Sequence, residues 1–209
     1  MQALPTTALV KIPRQRRSVE MVHAIIDAAI VVIDQDGVEH FSTNRVAAAA
    51  GVSIGSLYQY FANKEMILAA VLERGILESE GLMRRLATAD PAAHIDDVLR
   101  RVLYALIAEL EPARPLVRSV LSVVPLVYEG GVLAVLETRV GDVVRDYMLR
   151  HTDRYQLVGG PAALYVGVNA MIYVFLKWLT DAHRTIEKEE LVEALVAMLG
   201  AAIRETPAP

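Results

Sequence analysis

The residues best suited to do chemistry lie in STNRVAAAAGVSIGSLYQYFANKE, residues 42–65. On a helical wheel drawn for 53–61, Leu57 and Phe61 fall on one side with Ile54 and pack inward. Gly55 and Gln59 face the other way, with Ser56 and Tyr58 on the flanks. An outward glycine costs a helix about 1 kcal/mol, so its place near the helix start needs a reason. A surface without bulk lets another molecule approach closely, and the backbone N–H groups at a helix start carry partial positive charge suited to phosphate. Tyr58 presents an apolar ring with a hydroxyl tip, matched to a thymine methyl on one side and a phosphate oxygen on the other. Lys64 adds a cation able to clamp a sugar-phosphate backbone. The chemistry that these types and spacings support is non-covalent contact with duplex DNA.

Such contacts need rigid elements, and the flanking residues provide the signals for them. Phe41 before Ser42 and Val46 after it have the spacing of a hydrophobic staple around an N-cap. The helix so begun runs to Ala50, and Gly51 supplies the left-handed residue that ends it. Val52, Ser53 and Leu57 repeat the staple and cap two residues later, and Asn63 caps a further helix with Glu65 in its first turn. Two capped helices separated by GVS make a helix-turn-helix. Ahead of it, Ser18 is expected to cap a first helix whose Val19, Val22, Ile26, Ala29, Ile30 and Ile33 form one apolar stripe, stopped by DQDG at 34–37.

With these residues in view, TNRVAAAAGVSIGSLYQYFANKE resembles the DNA-binding segment of the TetR family of bacterial transcriptional regulators. The resemblance covers about residues 14–70 and leaves the rest of the chain aside. It implies that Thr43 and Asn44 open the second helix against the DNA backbone, with Asn44 or Arg45 reaching a base. It places Ser53, Ile54, Gly55, Ser56, Tyr58 and Gln59 in or beside the major groove, and Tyr60 and Lys64 on phosphates. Arg14, Arg16 and Arg17, in the basic run KIPRQRR, are expected to enter a minor groove or touch phosphate. Because AAAA at 47–50 carries no charge, base preference is expected to rest on Asn44, Arg45, Gln59 and DNA shape.

The 209 residues, 54% hydrophobic and 22% charged, describe a globular chain, and the breakers divide it into helices throughout. The expected fold is all-α with about nine helices: a flexible basic arm at 1–17, a three-helix helix-turn-helix domain at 18–63, and an effector-binding and dimerisation domain at 64–209. Long helices are expected near 64–87, 92–110, 114–128, 131–151, 161–182 and 187–204, with Pro112, Pro115, Pro125 and the glycines at 130–131 as pivots. The formal charge of −4 hides an asymmetry, about +1 up to Lys64 and −5 beyond.

One helix-turn-helix covers few base pairs, so useful specificity needs two half-sites and hence a homodimer on a palindromic operator. The two most apolar late helices supply the expected interface, through Val166, Met171, Val174, Leu191, Leu195, Met198 and Leu199. Polar and aromatic side chains punctuate the middle helices at Tyr104, Arg118, Tyr128, Tyr147, Asn169 and Tyr173, and these are the candidate contacts to a small apolar or amphipathic effector. The resemblance implies a ligand-responsive regulator, a repressor released from DNA by that effector. The alternative is a DNA-binding dimer without a small-molecule ligand, controlled by a protein partner or by expression level.

Other classes find little support. His23, His40, His94, His151 and His183 are scattered without metal-ligand spacing, and no phosphate loop or nucleophile elbow occurs, so no enzyme activity, metal or cofactor is expected. The chain has no cysteine and no signal-peptide pattern, which points to the cytoplasm. The uncharged stretch from Gln156 to Leu176 is interrupted by GGP at 159–161, which leaves sixteen helical residues, fewer than the roughly 18 to 20 of a span. That helix is expected to be buried rather than to cross a membrane.

Overall fold

The computed structural model describes residues 4–122 and 131–206. Nine helices occur among them: α1 (Arg16–Asp36), α2 (Thr43–Ala50), α3 (Ile54–Tyr58), α4 (Lys64–Thr88), α5 (Ile95–Leu110), α6 (Arg114–Leu121), α7 (Val132–Arg150), α8 (Gly160–Thr180) and α9 (Lys188–Gly200). A 3-10 turn at Val38–His40 joins α1 to α2. Two short strands, β1 (Tyr155–Leu157) and β2 (Ile203–Glu205), pair antiparallel with Gln156 opposite Arg204. The fold is all-α apart from this pair, which the helical pattern of the sequence gave no reason to expect.

The chain packs as two compact units, one of residues 1–77 with 115–136, the other of 78–114 with 137–209. The core of the first unit is a single cluster around Val22, Ile25, Ile26, Val46, Leu57, Phe61 and Ile67, all fully buried. The caps foreseen for α2 and α3 are present: Ser42 Oγ accepts from the Arg45 N–H at 3.4 Å, and Ser53 Oγ from the Ser56 N–H at 3.0 Å. Gly51 ends α2 at φ 66°, where a side chain would be strained. Asn63 Oδ1 caps α4 through the Met66 N–H at 2.9 Å.

Several expectations need correction. Helix α1 begins at Arg16, because Gln15 serves as its N-cap; Ser18 lies in the first turn and its hydroxyl accepts the Gln15 N–H at 3.2 Å. Ile54, expected to pack inward, is 39% exposed. The segment 1–17 is not a loose arm over its described part. Pro5, Ala8 and Pro13 are buried, Leu4 and Leu9 pack on the core, and Arg16 and Arg17 already belong to α1. Helix α6 spans Arg114–Leu121, and the rest of the stretch expected to 128, with Pro125, Tyr128 and Gly130, lies outside the described residues.

In the second unit α9 packs on α5, placing Leu191, Val192, Leu195 and Val196 inside the chain's own core. Arg100 of α5 forms a two-pronged ion pair with Glu193 of α9 at 2.7 and 2.9 Å. The Glu193 carboxyl is thereby held below the ordinary carboxylate range, and the Arg100 guanidinium is raised further above its usual value. The strand pair closes a smaller cluster in which Tyr155 is buried and its hydroxyl accepts the Ile95 N–H at 3.1 Å. Arg184 lies over the Trp178 ring at 3.9 Å, and Trp178 Nε1 donates to the Ile186 carbonyl at 2.7 Å.

Helix α8 runs for 21 residues, close to the expected 161–182, with Lys177 inside it. By length and composition alone it is the one helix among the described residues able to cross a membrane. One face, carrying Val168, Ile172, Phe175 and Leu179, is buried in the second unit. The other leaves Tyr165, Val166, Tyr173 and Val174 exposed, at 70, 63, 62 and 39%. Within the single chain, then, only one face of this helix is buried.

Candidate nucleic-acid interface

The start of α2 and all of α3 contribute to one polar surface of the first unit. Leu57 and Phe61, both fully buried, anchor α3 from beneath, so Ile54, Gly55, Tyr58 and Gln59 are left exposed. The Tyr58 and Thr43 hydroxyls approach to 3.2 Å, which ties the exposed side of α3 to the first residue of α2. Asn44 and Arg45 continue this surface on α2, and Lys64 lies exposed at the start of α4.

Gly55 is the most telling member. A methyl group added there would meet nothing closer than Ser53 Oγ at 3.8 Å, an ordinary contact. Its backbone is helical without a positive φ, so neither packing nor conformation within the chain requires glycine. The absent side chain leaves the α3 backbone open to the surface at this point.

Other residues carry prior commitments. Ser53 and Ser56 hydroxyls bond each other at 2.8 Å in addition to capping α3, so their polarity is partly satisfied at home. Arg45 Nη1 is paired with Asp36 Oδ2 at 2.6 Å and must leave that carboxylate before it can reach a base or phosphate. Tyr60 is only 7% exposed and its ring belongs to the core. Arg16 pairs with Glu20 at 2.7 Å on an open surface, while Arg14 and Arg17 are exposed beside it.

The candidate effector contacts are brought together less well. Within the second unit an apolar cavity of about 850 Å3 of atom-free space, including its open mouth, lies among residues of α4, α5, α7, α8 and the strand pair. Only about 90 Å3 of it admits the centre of a water molecule. Met83, Val98, Leu103, Val143, Leu164 and Val168 are among its walls, and Tyr147 brings the one polar side chain. Burial pushes the Tyr147 phenol above its ordinary range, with the neighbouring Tyr155 adding to the effect and Arg154 opposing it. It stays a neutral hydrogen-bonding group at physiological pH.

Of the five expected residues that are described, only Tyr147 lines this cavity, and Tyr128 lies outside the described residues. Tyr104 is half-buried away from it, Arg118 is exposed on α6, Tyr173 is exposed on α8, and Asn169 uses its amide on the Tyr165 carbonyl at 2.9 Å. The walls are aliphatic and look in sequence like any helical core. The expected dimer residues divide as well. Val166, Val174 and Met198 are exposed, whereas Met171 and Leu199 line the cavity and Leu191 and Leu195 are buried against α5.

Residues 25–71 match the family model for bacterial regulatory proteins of the tetR family. A fatty acid metabolism regulator protein of Bacillus subtilis (strain 168) is 43% identical over 49 residues, 23% of this chain and 25% of that protein. The nucleoid occlusion factor SlmA of Actinobacillus pleuropneumoniae serotype 5b (strain L20) is 33% identical over 70 residues, 34% of this chain and 33% of that protein. The similarity thus spans a quarter to a third of these relatives' length. Over nearly the whole chain the likeness is one of fold. FadR of Thermus thermophilus, a repressor in complex with lauroyl-CoA, gives a TM-score of 0.62 at 19% identity over 90% of this chain and 98% of that one. AlkX of Dietzia sp. gives 0.62 at 16% identity over 87% and 97%.

Proposed function

We propose that the chain, whose residues 25–71 match the family model for bacterial regulatory proteins of the tetR family, acts as a homodimeric repressor that leaves a palindromic operator when an apolar small molecule enters the second unit. The observation that carries the DNA half of this reading is Gly55, exposed on α3 with open space where a side chain would stand. Asn44 and Gln59 are the side chains with donors and acceptors suited to base edges, and Lys64, Arg14 and Arg17 serve phosphate.

Dimerisation is supported by the outer face of α8. Tyr165, Val166, Tyr173 and Val174 are all exposed on α8, outside the buried face of Val168, Ile172, Phe175 and Leu179. So many exposed large side chains on one apolar helix are stable in water when a second copy covers them. The ligand half rests on the cavity, whose aliphatic walls and single phenol suit a chain-like apolar molecule with one hydrogen-bonding group. Its presence favours this reading over control by a protein partner alone. A fold neighbour that holds lauroyl-CoA contains an apolar tail of that kind.

An effector releases DNA only if it binds better to the conformation with the wrong half-site spacing, and a 100-fold loss of operator affinity needs about 3 kcal/mol of such preference. Selection of bound duplexes from a random pool, at stated salt, tests the proposal. It should return a palindrome with half-sites about one helical turn apart, or a multiple of that. A chain that sediments as a monomer, or that enriches no two-fold sequence, would sink it.

A further inference from the structure

A buried carboxylate in the first unit has no part in the contacts described so far. Glu73, in the third turn of α4, is 3% exposed, and its oxygens are satisfied by the N-terminal segment. They accept the Thr6 N–H at 3.0 Å, the Thr7 N–H at 3.2 Å and the Thr7 hydroxyl. A carboxylate left in such a place without partners would be costly, so Glu73 and the segment hold each other. Buried Pro5 and Ala8 lock one side of the segment and buried Pro13 the other.

Between these anchors the chain rises into a tip, Val10-Lys11-Ile12. The Val10 N–H donates to the Tyr60 carbonyl at 2.9 Å, two residues past the end of α3. That bond fixes Lys11 beside the exposed recognition helix. The tip is open to solvent, with Val10 64% and Ile12 59% exposed around the lysine. Two branched apolar side chains flanking a cation, presented next to α3, suit the edge of a DNA groove, where a cation meets phosphate and apolar groups meet sugars.

We infer that residues 4–13 form a docked DNA-contacting strap, in which Lys11 binds a phosphate flanking the groove entered by α3 and Glu73 is the positioning residue that holds the strap in register. This rests on the DNA-binding reading above and adds a contact to it. The strap stands in place of a flexible arm, so its cation pays less ordering entropy when DNA binds.

The test uses the full chain and a fluorescein-labelled 30-base-pair duplex, with the dissociation constant measured across a salt series. Loss of one phosphate contact lowers the magnitude of the log–log salt slope by about 0.9. Lys11→Ala removes one such contact from each protomer of the proposed dimer and is expected to lower it by about 1.8. Glu73→Gln should produce the same reduction, and the double variant should go no further than either single one. Thr7→Val, at an exposed position, gives a milder release of the strap and a partial reduction. Thermal melts of each variant report folding separately. A folded Lys11→Ala with an unchanged slope overturns the inference while leaving the regulator reading intact. So does a folded Glu73→Gln whose loss in the slope adds to that of Lys11→Ala. Failure of the unaltered chain to bind any duplex at low salt overturns both.

Discussion

Gly55 sets two free energies against each other. In the free protein a methyl at this position meets only Ser53 Oγ at 3.8 Å, and alanine is a better helix former than glycine by up to about 1 kcal/mol. Gly55→Ala is therefore expected to melt slightly higher than the parent, while binding operator about tenfold or more weakly, since about 1.4 kcal/mol of lost contact suffices for that. Paired thermal melts and fluorescence anisotropy check it; unchanged operator affinity would remove the reason for an outward glycine. Arg45 offers the converse case. Its ion pair with Asp36 is half-exposed and worth little to the fold, but it restrains a cation on the DNA-facing side. Asp36→Asn should leave the melting temperature nearly unchanged and increase affinity for a non-specific duplex at low salt several-fold. A variant that binds such a duplex no better than the parent would show that the Asp36 carboxylate does not hold Arg45 back from phosphate.

At the scale of elements, α5 and α9 are held together by aliphatic packing, with the Arg100–Glu193 pair at their surface. The arginine lowers the Glu193 carboxyl below its ordinary value, so folding favours the ionised form. The pair's contribution is therefore complete above the unfolded carboxylate value of about 4.3 and is lost as the pH falls through the lowered folded value. The gap in melting temperature between the parent and Glu193→Gln should be greatest near neutral pH and should close below about pH 4. A gap that stays constant down to pH 3 would assign the effect to packing. These elements also show what sequence can and cannot disclose. The caps Ser42, Ser53 and Asn63 and the left-handed Gly51 act within four residues, and each was legible from its neighbours. The docked strap was not, because Glu73 lies 66 residues beyond Thr7 and reads as one more charge on a helix. Leu191 and Leu195 were placed in a subunit interface for being apolar, yet apolarity does not say which of two partners, α5 or a second chain, covers them.

For the molecule as a whole, the exposed polar surface of α2 and α3 was readable because its residues sit where a helix of this chain has no internal use for them, whereas the cavity was not, because a hollow core and a filled one use the same side chains. Val98, Leu103 and Val143 would appear in either. That ambiguity yields a test of the link between the units. Val102 lines the cavity and is half-buried, so Val102→Phe adds bulk where there is room for it rather than in a close-packed wall. The variant should fold and bind operator as the parent does, because none of the DNA-facing residues is touched. It should lose at least tenfold in affinity for a chain-like apolar ligand found by thermal-shift screening, and operator release should then require correspondingly more ligand. Linkage makes the two losses equal in free energy when release is driven by occupancy of this cavity. Operator complexes that dissociate at the same ligand concentration as the parent's, from a variant whose cavity no longer takes the ligand, would place the controlling site elsewhere. An unliganded variant that binds operator more weakly than the parent would show instead that the aromatic ring alone shifts the chain towards the released conformation, with the cavity still the point from which that shift is set.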